Sequence, residues 1–215
     1  MAHLDSETGS LNLQIVYDGA PRSGKTSSMV TLGRLFDCPV ITPEEDQGRT
    51  VYFDWMDYSG GLCRGRPIQC RTIAVPGQEK WAGRRQLIVK SADVVLFVVD
   101  SSARHFAKTR ECFEELQALI GSRKREIPIL LQVNKRDTED ALPIETVLEA
   151  LDPTLQKVET VAIASVGVRE AFVLAVGAAV RGLRDSGILY DGGLFDTQEL
   201  QLPSPDQLVE LLESA

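Results

Sequence analysis

The residues best equipped for chemistry lie in G-A-P-R-S-G-K-T, from Gly19 to Thr26, where a glycine, four residues on, is followed by Gly-Lys-Thr. This spacing matches G-x-x-x-x-G-K-[ST] and stands between an alternating stretch at 11–17 (L-N-L-Q-I-V-Y) and a stretch of helical periodicity at 25–36. Glycines let successive backbone N–H groups turn toward the oxygens of a phosphate, and the helix that follows adds its positive end. The pattern predicts a phosphate loop formed by Gly19, Ala20, Pro21, Arg22, Ser23, Gly24, Lys25, Thr26 and Ser27. In it Lys25 reaches the β- and γ-phosphates, and the Thr26 hydroxyl is a ligand for Mg²⁺. A chance match is expected in on the order of one chain in a hundred at ordinary glycine usage. The placement between strand and helix lowers that further.

A second constellation selects the base. In N-K-R-D, formed by Asn134, Lys135, Arg136 and Asp137, the aspartate carboxylate accepts two hydrogen bonds from the N1–H and exocyclic amine of guanine. Adenine lacks both donors and leaves the carboxylate unpaired. Ala162, in V-A-I near the last strand, is a candidate to offer its N–H to the guanine O6, with an ordinary buried alanine as the alternative.

A third stretch, R-T-I-A-V-P-G-Q-E-K at 71–80, runs from a strand into Gly77-Gln78. Many GTP hydrolases place such a sequence beside the terminal phosphate, with an acid three positions before the glycine that helps hold a magnesium-bound water. Here that position is Ala74. Gln78 is placed to orient the attacking water and the Gly77 N–H to bond the γ-phosphate.

The elements that must hold these residues follow from the apolar pattern. Strand-length runs alternate with helix-period segments, as in a parallel sheet covered by crossover helices. Strands are expected at 11–17, 50–55, 68–75, 93–100, 128–133 and 158–163, and helices at 25–36, 79–90, 104–121, 143–151 and 168–184. The connection S-G-G-L-C-R-G-R-P between the second and third strands suggests an antiparallel hairpin. The fold class is α/β: a P-loop NTPase G domain, with a mostly parallel six-stranded sheet, one antiparallel strand and helices on both faces. The domain is expected over 11–184, after a polar segment at 1–10 and before an acidic extension at 185–215.

Composition narrows the function classes. The chain has 215 residues, 43% hydrophobic and 25% charged, as expected of one globular domain with an extension. Its net charge of −8 is concentrated in the tail, where seven acids from Asp185 onward meet no lysine or arginine. The remainder is nearly neutral, which argues against nucleic-acid binding. Cys38, Cys63, Cys70 and Cys112 are scattered without a C-x-x-C pair, as befits reduced thiols in a cytoplasmic protein. The polar start, with Ala2 after Met1, carries neither an export signal nor a myristoyl site, and no membrane anchor is expected.

Taken together, G-A-P-R-S-G-K-T, G-R-T-V-Y-F-D-W, V-P-G-Q-E and N-K-R-D resemble a Ras-superfamily small GTPase over roughly residues 11–184. More narrowly, R-T-x-x-F-D and V-P-G-Q resemble the bacterial MglA-type GTPases of cell polarity and gliding motility, in which the acid position is likewise typically non-acidic. The resemblance implies a switch that binds GTP and GDP with Mg²⁺ and hydrolyses GTP slowly without an activator. It implies that Thr50 completes the magnesium shell and that Arg49 beside it is an arginine finger supplied in cis. It also implies a Roadblock-domain activator of the MglB type and GTP-dependent effectors. Because aromatic residues often anchor interfaces, Trp81 and the stretch from Trp55 to Tyr58 are candidate contacts, with core packing as the alternative, for Trp55 above all. Asp54 offers a carboxylate that reaches the metal through a water, although an exposed face is its commoner fate in an alternating strand.

The tail departs from the compact family. In S-P-D-Q-L-V-E-L-L-E-S, Ser204, Pro205 and Gln207 make a capping box ahead of Leu208, Leu211 and Leu212. A short helix near 205–214 is expected, with self-association or partner docking as its role and a disordered solubilising tail as the alternative. Two other function classes stand beside the switch: a GTP-binding scaffold without turnover, and an ATP-using P-loop enzyme.

Overall fold

The alternating and apolar runs of the sequence become strands in the computed structural model, which describes residues 3–5, 7–42, 53–63, 66–75, 82–121 and 126–185. The described strands are β1 (His3–Leu4), β2 (Leu11–Asp18), β3 (Asp54–Cys63), β4 (Arg66–Ala74), β5 (Val94–Asp100), β6 (Ile129–Asn134) and β7 (Lys157–Glu159). The helices are α1 (Lys25–Leu35), α2 (Ala82–Ser91), α3 (Phe106–Gly121), α4 (Ile144–Ala150) and α5 (Val168–Asp185). The strands join in the order β3-β4-β2-β5-β6-β7, parallel throughout except that β3 runs antiparallel to β4. The six-stranded, mostly parallel sheet read from the sequence is therefore present. To it β1 adds a short antiparallel pairing with Leu11 and Asn12, the part of β2 that β5, joining only from Ile15, leaves free.

β5 reads V-V-L-F-V-V-D and is buried at every residue, as a central strand covered on both faces must be. On one face Ile15, Tyr17, Leu96 and Val98 pack with Met29 and Leu32 of α1 and with Phe172 and Ala175 of α5. On the other, Val16, Val95 and Phe97 meet Val89 of α2, Phe113 of α3 and Val147 of α4. α5 buries Val168, Ala171, Phe172, Ala175, Val176, Ala179 and Val180, an apolar stripe of helical period. Phe172 closes an aromatic cluster, 5.3 Å from the Phe36 ring and 5.9 Å from the Tyr58 ring. Truncation of this fully buried ring in Phe172→Ala is expected to destabilise the fold by about 3–5 kcal/mol, read as a lower urea midpoint.

Three boundaries differ from the sequence reading. The strand expected at 50–55 begins at Asp54 and runs through S-G-G-L-C to Cys63. Those glycines make a bulge within the strand: the register shifts between Ser59 and Leu62, and Gly61 has φ 75°. A Cβ on Gly60 would stand 2.1 Å from the Tyr58 hydroxyl oxygen, so close packing also excludes a side chain there. The last strand stops at Glu159, and Ala162–Ala164 form a 3₁₀ turn. The helix expected at 79–90 is described from Ala82. The extension at 186–215 lies outside the described residues. Among the described residues no helix is long and apolar enough to cross a membrane.

Candidate functional site

β2 ends at Asp18, and the chain turns through the glycine loop into α1. Gly19 and Gly24 adopt φ of 139° and 110°, conformations that side chains rarely take. Space gives a second reason: a Cβ on Gly19 would meet the Val98 carbonyl at 2.4 Å, and one on Gly24 the Asn134 amide nitrogen at 2.1 Å. The loop is thus pressed against the ends of β5 and β6. Ala20 and Ser23 are buried, Pro21 and Arg22 are exposed, and Ser27 is half-buried in the first turn of α1.

Lys25, the first residue of α1, is buried and folds back into the loop, donating to the Gly19 carbonyl at 2.7 Å and the Ala20 carbonyl at 2.8 Å. Burial pushes its pKa from the ordinary 10.5 down to about 8, with the Asp18 charge opposing that shift. Both of these hydrogen-bond partners of the ammonium are backbone carbonyls of the loop.

Beside it, the Thr26 hydroxyl donates to Asp54 Oδ2 at 2.6 Å, while Thr42 donates to Asp54 Oδ1 at 2.9 Å. Asp54 is the direct cross-strand partner of Ala74. Residues opposite each other in an antiparallel pair share a face and lie about 5 Å apart. The carboxylate missing from position 74 therefore stands one strand over, on the same face of the sheet. Its hydrogen bond from Thr26 takes the hydroxyl proton and leaves the Oγ1 lone pairs free for a cation. Ala74 itself is buried, paired with Asp54 on one side and with the fully buried Tyr17 on the other.

This donor set fits Mg²⁺, which takes hard oxygen ligands and is ordinarily held by one or two carboxylates together with substrate phosphates and waters. Among the described residues there is no cluster of three or more His, Cys, Asp or Glu side chains suited to a metal. A cation held here would draw its remaining ligands from phosphate and water.

The base end is tied to the loop by one buried side chain. Asn134 donates from Nδ2 to the Ser23 carbonyl at 2.8 Å, and its Oδ1 accepts from the Ala162 N–H at 2.9 Å and the Thr160 hydroxyl at 3.1 Å. Ala162, offered by the sequence as a donor to guanine O6, is thus buried with its N–H committed to Asn134. Lys135 has φ 63° and pairs with Asp100 at 2.6 Å. Asp137 is exposed. Arg49, Thr50, Gly77, Gln78 and Trp81 lie outside the described residues.

Four residues that the sequence reading missed belong to this region: Asp18, Thr42, Arg85 and Thr160. Asp18 carried a usable signal, an acid closing an apolar strand at the first loop glycine. The other three are fixed by contacts between segments distant in sequence. Of the candidate partner contacts, Tyr58 is core, whereas Trp55 is half-buried with the Arg71 guanidinium 5.6 Å from its ring centroid. Trp55 lines a groove of about 490 Å³ with Phe53, Ile73, Leu87 and Ile88, and Leu87 is 72% exposed. β3 thus sends Asp54 to the phosphate side of the sheet and Trp55 to a surface groove on the other.

A model of the ADP-ribosylation factor family matches residues 66–179. The Mutual gliding-motility protein MglA of Myxococcus xanthus (strain DK1622) is 29% identical over an aligned length of 200 residues, in a match that covers 87% of this chain and 100% of that protein. Among solved structures, the Arl6 BBS3 small GTPase from Trypanosoma brucei with bound nucleotide analogue GppNp superposes with a TM-score of 0.58. It is 22% identical, and the match covers 80% of this chain and 99% of that one, a likeness of fold.

Proposed function

The chain belongs to the ADP-ribosylation factor family of small GTPases, and we propose that it is a switch which binds GTP and GDP, hydrolyses GTP, and acts in cell polarity, motility or protein localisation. The observation that carries the nucleotide reading is the Asn134 bond to Ser23. It joins the phosphate loop to the N-K-R-D turn, so that phosphate and base recognition fall within one ligand's span.

In this reading the loop amides and Lys25 hold the phosphates, and Asp137 accepts from the guanine edge. Gln78 orients the attacking water, the Gly77 N–H bonds the γ-phosphate, and Arg49 meets the charge that develops in transfer. Thr26 and Thr50 are the metal ligands, and Asp54 orients Thr26. Magnesium, when bound, neutralises charge on the phosphate oxygens. Contacts of Thr50 and Gly77 to the γ-phosphate give the two nucleotides different surfaces. A Roadblock-domain activator of the MglB type and GTP-dependent effectors read those surfaces, and the Trp55 groove supports a partner face beside them. The tail at 186–215 acts in partner docking or self-association.

Competition against a fluorescent GDP tests the base. GDP is expected to displace it at concentrations at least about 100-fold below ADP, and Asp137→Ala to collapse that preference, since the site then lacks its acceptor. Equal displacement by ADP would make the chain an ATP-using protein. Phosphate release after preloading with GTP separates a switch from a scaffold.

Lys25 sets the pH dependence. Its folded pKa lies below the unfolded value, so the buried charge destabilises the ligand-free fold below pH about 8, and that penalty is relieved as pH rises from about 8 toward 10.5. Phosphate binding needs the ammonium. GDP affinity is expected to fall by up to about tenfold per pH unit above about 8. In Lys25→Arg the charge persists and the slope should vanish. A titration of affinity between pH 7 and pH 9.5 checks both.

A further inference from the structure

Asp18 is fully buried at the root of a loop that receives anions. A bare carboxylate there opposes phosphate binding, because a buried charge without a partner is screened poorly. Its partners are specific. One oxygen accepts the Gly19 N–H at 2.8 Å, and Arg85 of α2 donates from Nε at 3.0 and 3.2 Å and from Nη2 at 2.9 Å. Arg85 is itself only 12% exposed. Its remaining donors hold α3, through the Cys112 carbonyl at 3.1 Å and Glu115 at 2.5 Å.

The pair therefore joins three elements around the loop. Lys25 feels the same carboxylate, which favours its charged form. With Arg85 withdrawn, Asp18 still acts on the Lys25 ammonium, and the carboxylate then competes with a phosphate for it.

We propose that the buried Asp18–Arg85 ion pair couples the seating of α2 to the affinity of the phosphate loop for a nucleoside diphosphate or triphosphate. With α2 seated, Arg85 cancels the Asp18 charge and the loop accepts the anion. With α2 displaced, the uncompensated carboxylate repels it and draws on Lys25. By linkage, bound nucleotide holds α2 in place as strongly as α2 holds the nucleotide. The proposal rests on the guanine-nucleotide reading. Arg85 acts through Asp18 and is a positioning residue.

The test measures fluorescent GDP affinity for the full chain, Arg85→Gln, Asp18→Asn and the double variant, alongside amide hydrogen exchange of Ala82–Ser91 in the ligand-free proteins. Arg85→Gln is expected to weaken GDP binding about 10- to 100-fold, the range of ordinary site-to-site coupling. Asp18→Asn removes the repelling charge with little change of shape, so it should bind GDP at least as well as the natural chain. The double variant should return to within about threefold of it. In ligand-free Asp18→Asn, α2 has lost its counter-charge and its amides should exchange faster.

If the pair only supported the fold, both single variants would weaken GDP binding and the double would be no better than Arg85→Gln; that pattern overturns the proposal. Unchanged affinity in Arg85→Gln overturns it as well. Should the natural chain bind no GDP, the nucleotide reading falls separately. The exchange comparison then stands alone, and unchanged exchange in Asp18→Asn overturns the latch itself.

Discussion

Asp54→Ala is expected to raise the magnesium concentration needed to retain GDP by about 10- to 100-fold, the usual consequence of removing a group that orients a metal ligand. Affinity for GDP in excess magnesium should change far less, because the phosphate loop and N-K-R-D turn are untouched. One hydrogen bond and one strand register set this expectation. Thr26 directs its proton at Asp54, and Asp54 stands directly opposite Ala74, where this superfamily ordinarily keeps its acid. The swap Asp54→Ala with Ala74→Asp moves the carboxylate back across the pair. It should recover most of the lost magnesium affinity, whereas Ala74→Asp alone crowds two like charges onto one face and should not help. GDP dissociation rates across an EDTA-buffered magnesium series decide it. A magnesium dependence unchanged in Asp54→Ala would show that the Thr26 contact has no part in holding the cation.

That relocation was half legible in the sequence. Asp54 stood out as a carboxylate near the right motif, but strand alternation assigned it an exposed face. What alternation cannot show is that α1 begins on that face with a hydroxyl in reach. The same limit explains β3, whose glycines read as a turn because composition does not reveal that the Tyr58 ring occupies the space of a side chain at Gly60. The central strand and the phosphate loop were plain, since continuous burial in β5 and a glycine spacing before a helix leave few alternatives. Ala162 shows another side of this: the sequence left its N–H open between a ligand and an ordinary buried position, and only the fold shows that Asn134, twenty-eight residues earlier, lies within hydrogen-bond reach of it. Asp18 and Arg85 are separated by sixty-seven residues, and only the docking of α2 brings them together.

Arg49→Ala is expected to slow single-turnover phosphate release from preloaded GTP by about 10³- to 10⁵-fold, roughly 4–7 kcal/mol of barrier. GTP and GDP affinities should stay within a few fold, since a finger acts on charge that appears in the transition state. The geometry of the flanking chain supports a role in cis. Ile41 and Trp55 exchange backbone hydrogen bonds at 2.8 and 3.0 Å, and Thr42 reaches Asp54 just inside them, so both ends of the segment that carries Arg49 are pinned beside Thr26. Arg49 is five residues from Asp54, and a chain of that length spans at most about 18 Å. The rate should be measured with the chain alone and with the proposed Roadblock-domain activator present. An activator that only positions the segment accelerates the natural chain and fails on Arg49→Ala. One that inserts its own arginine rescues the variant, and equal rates for both chains would leave Arg49 with no part in the chemistry.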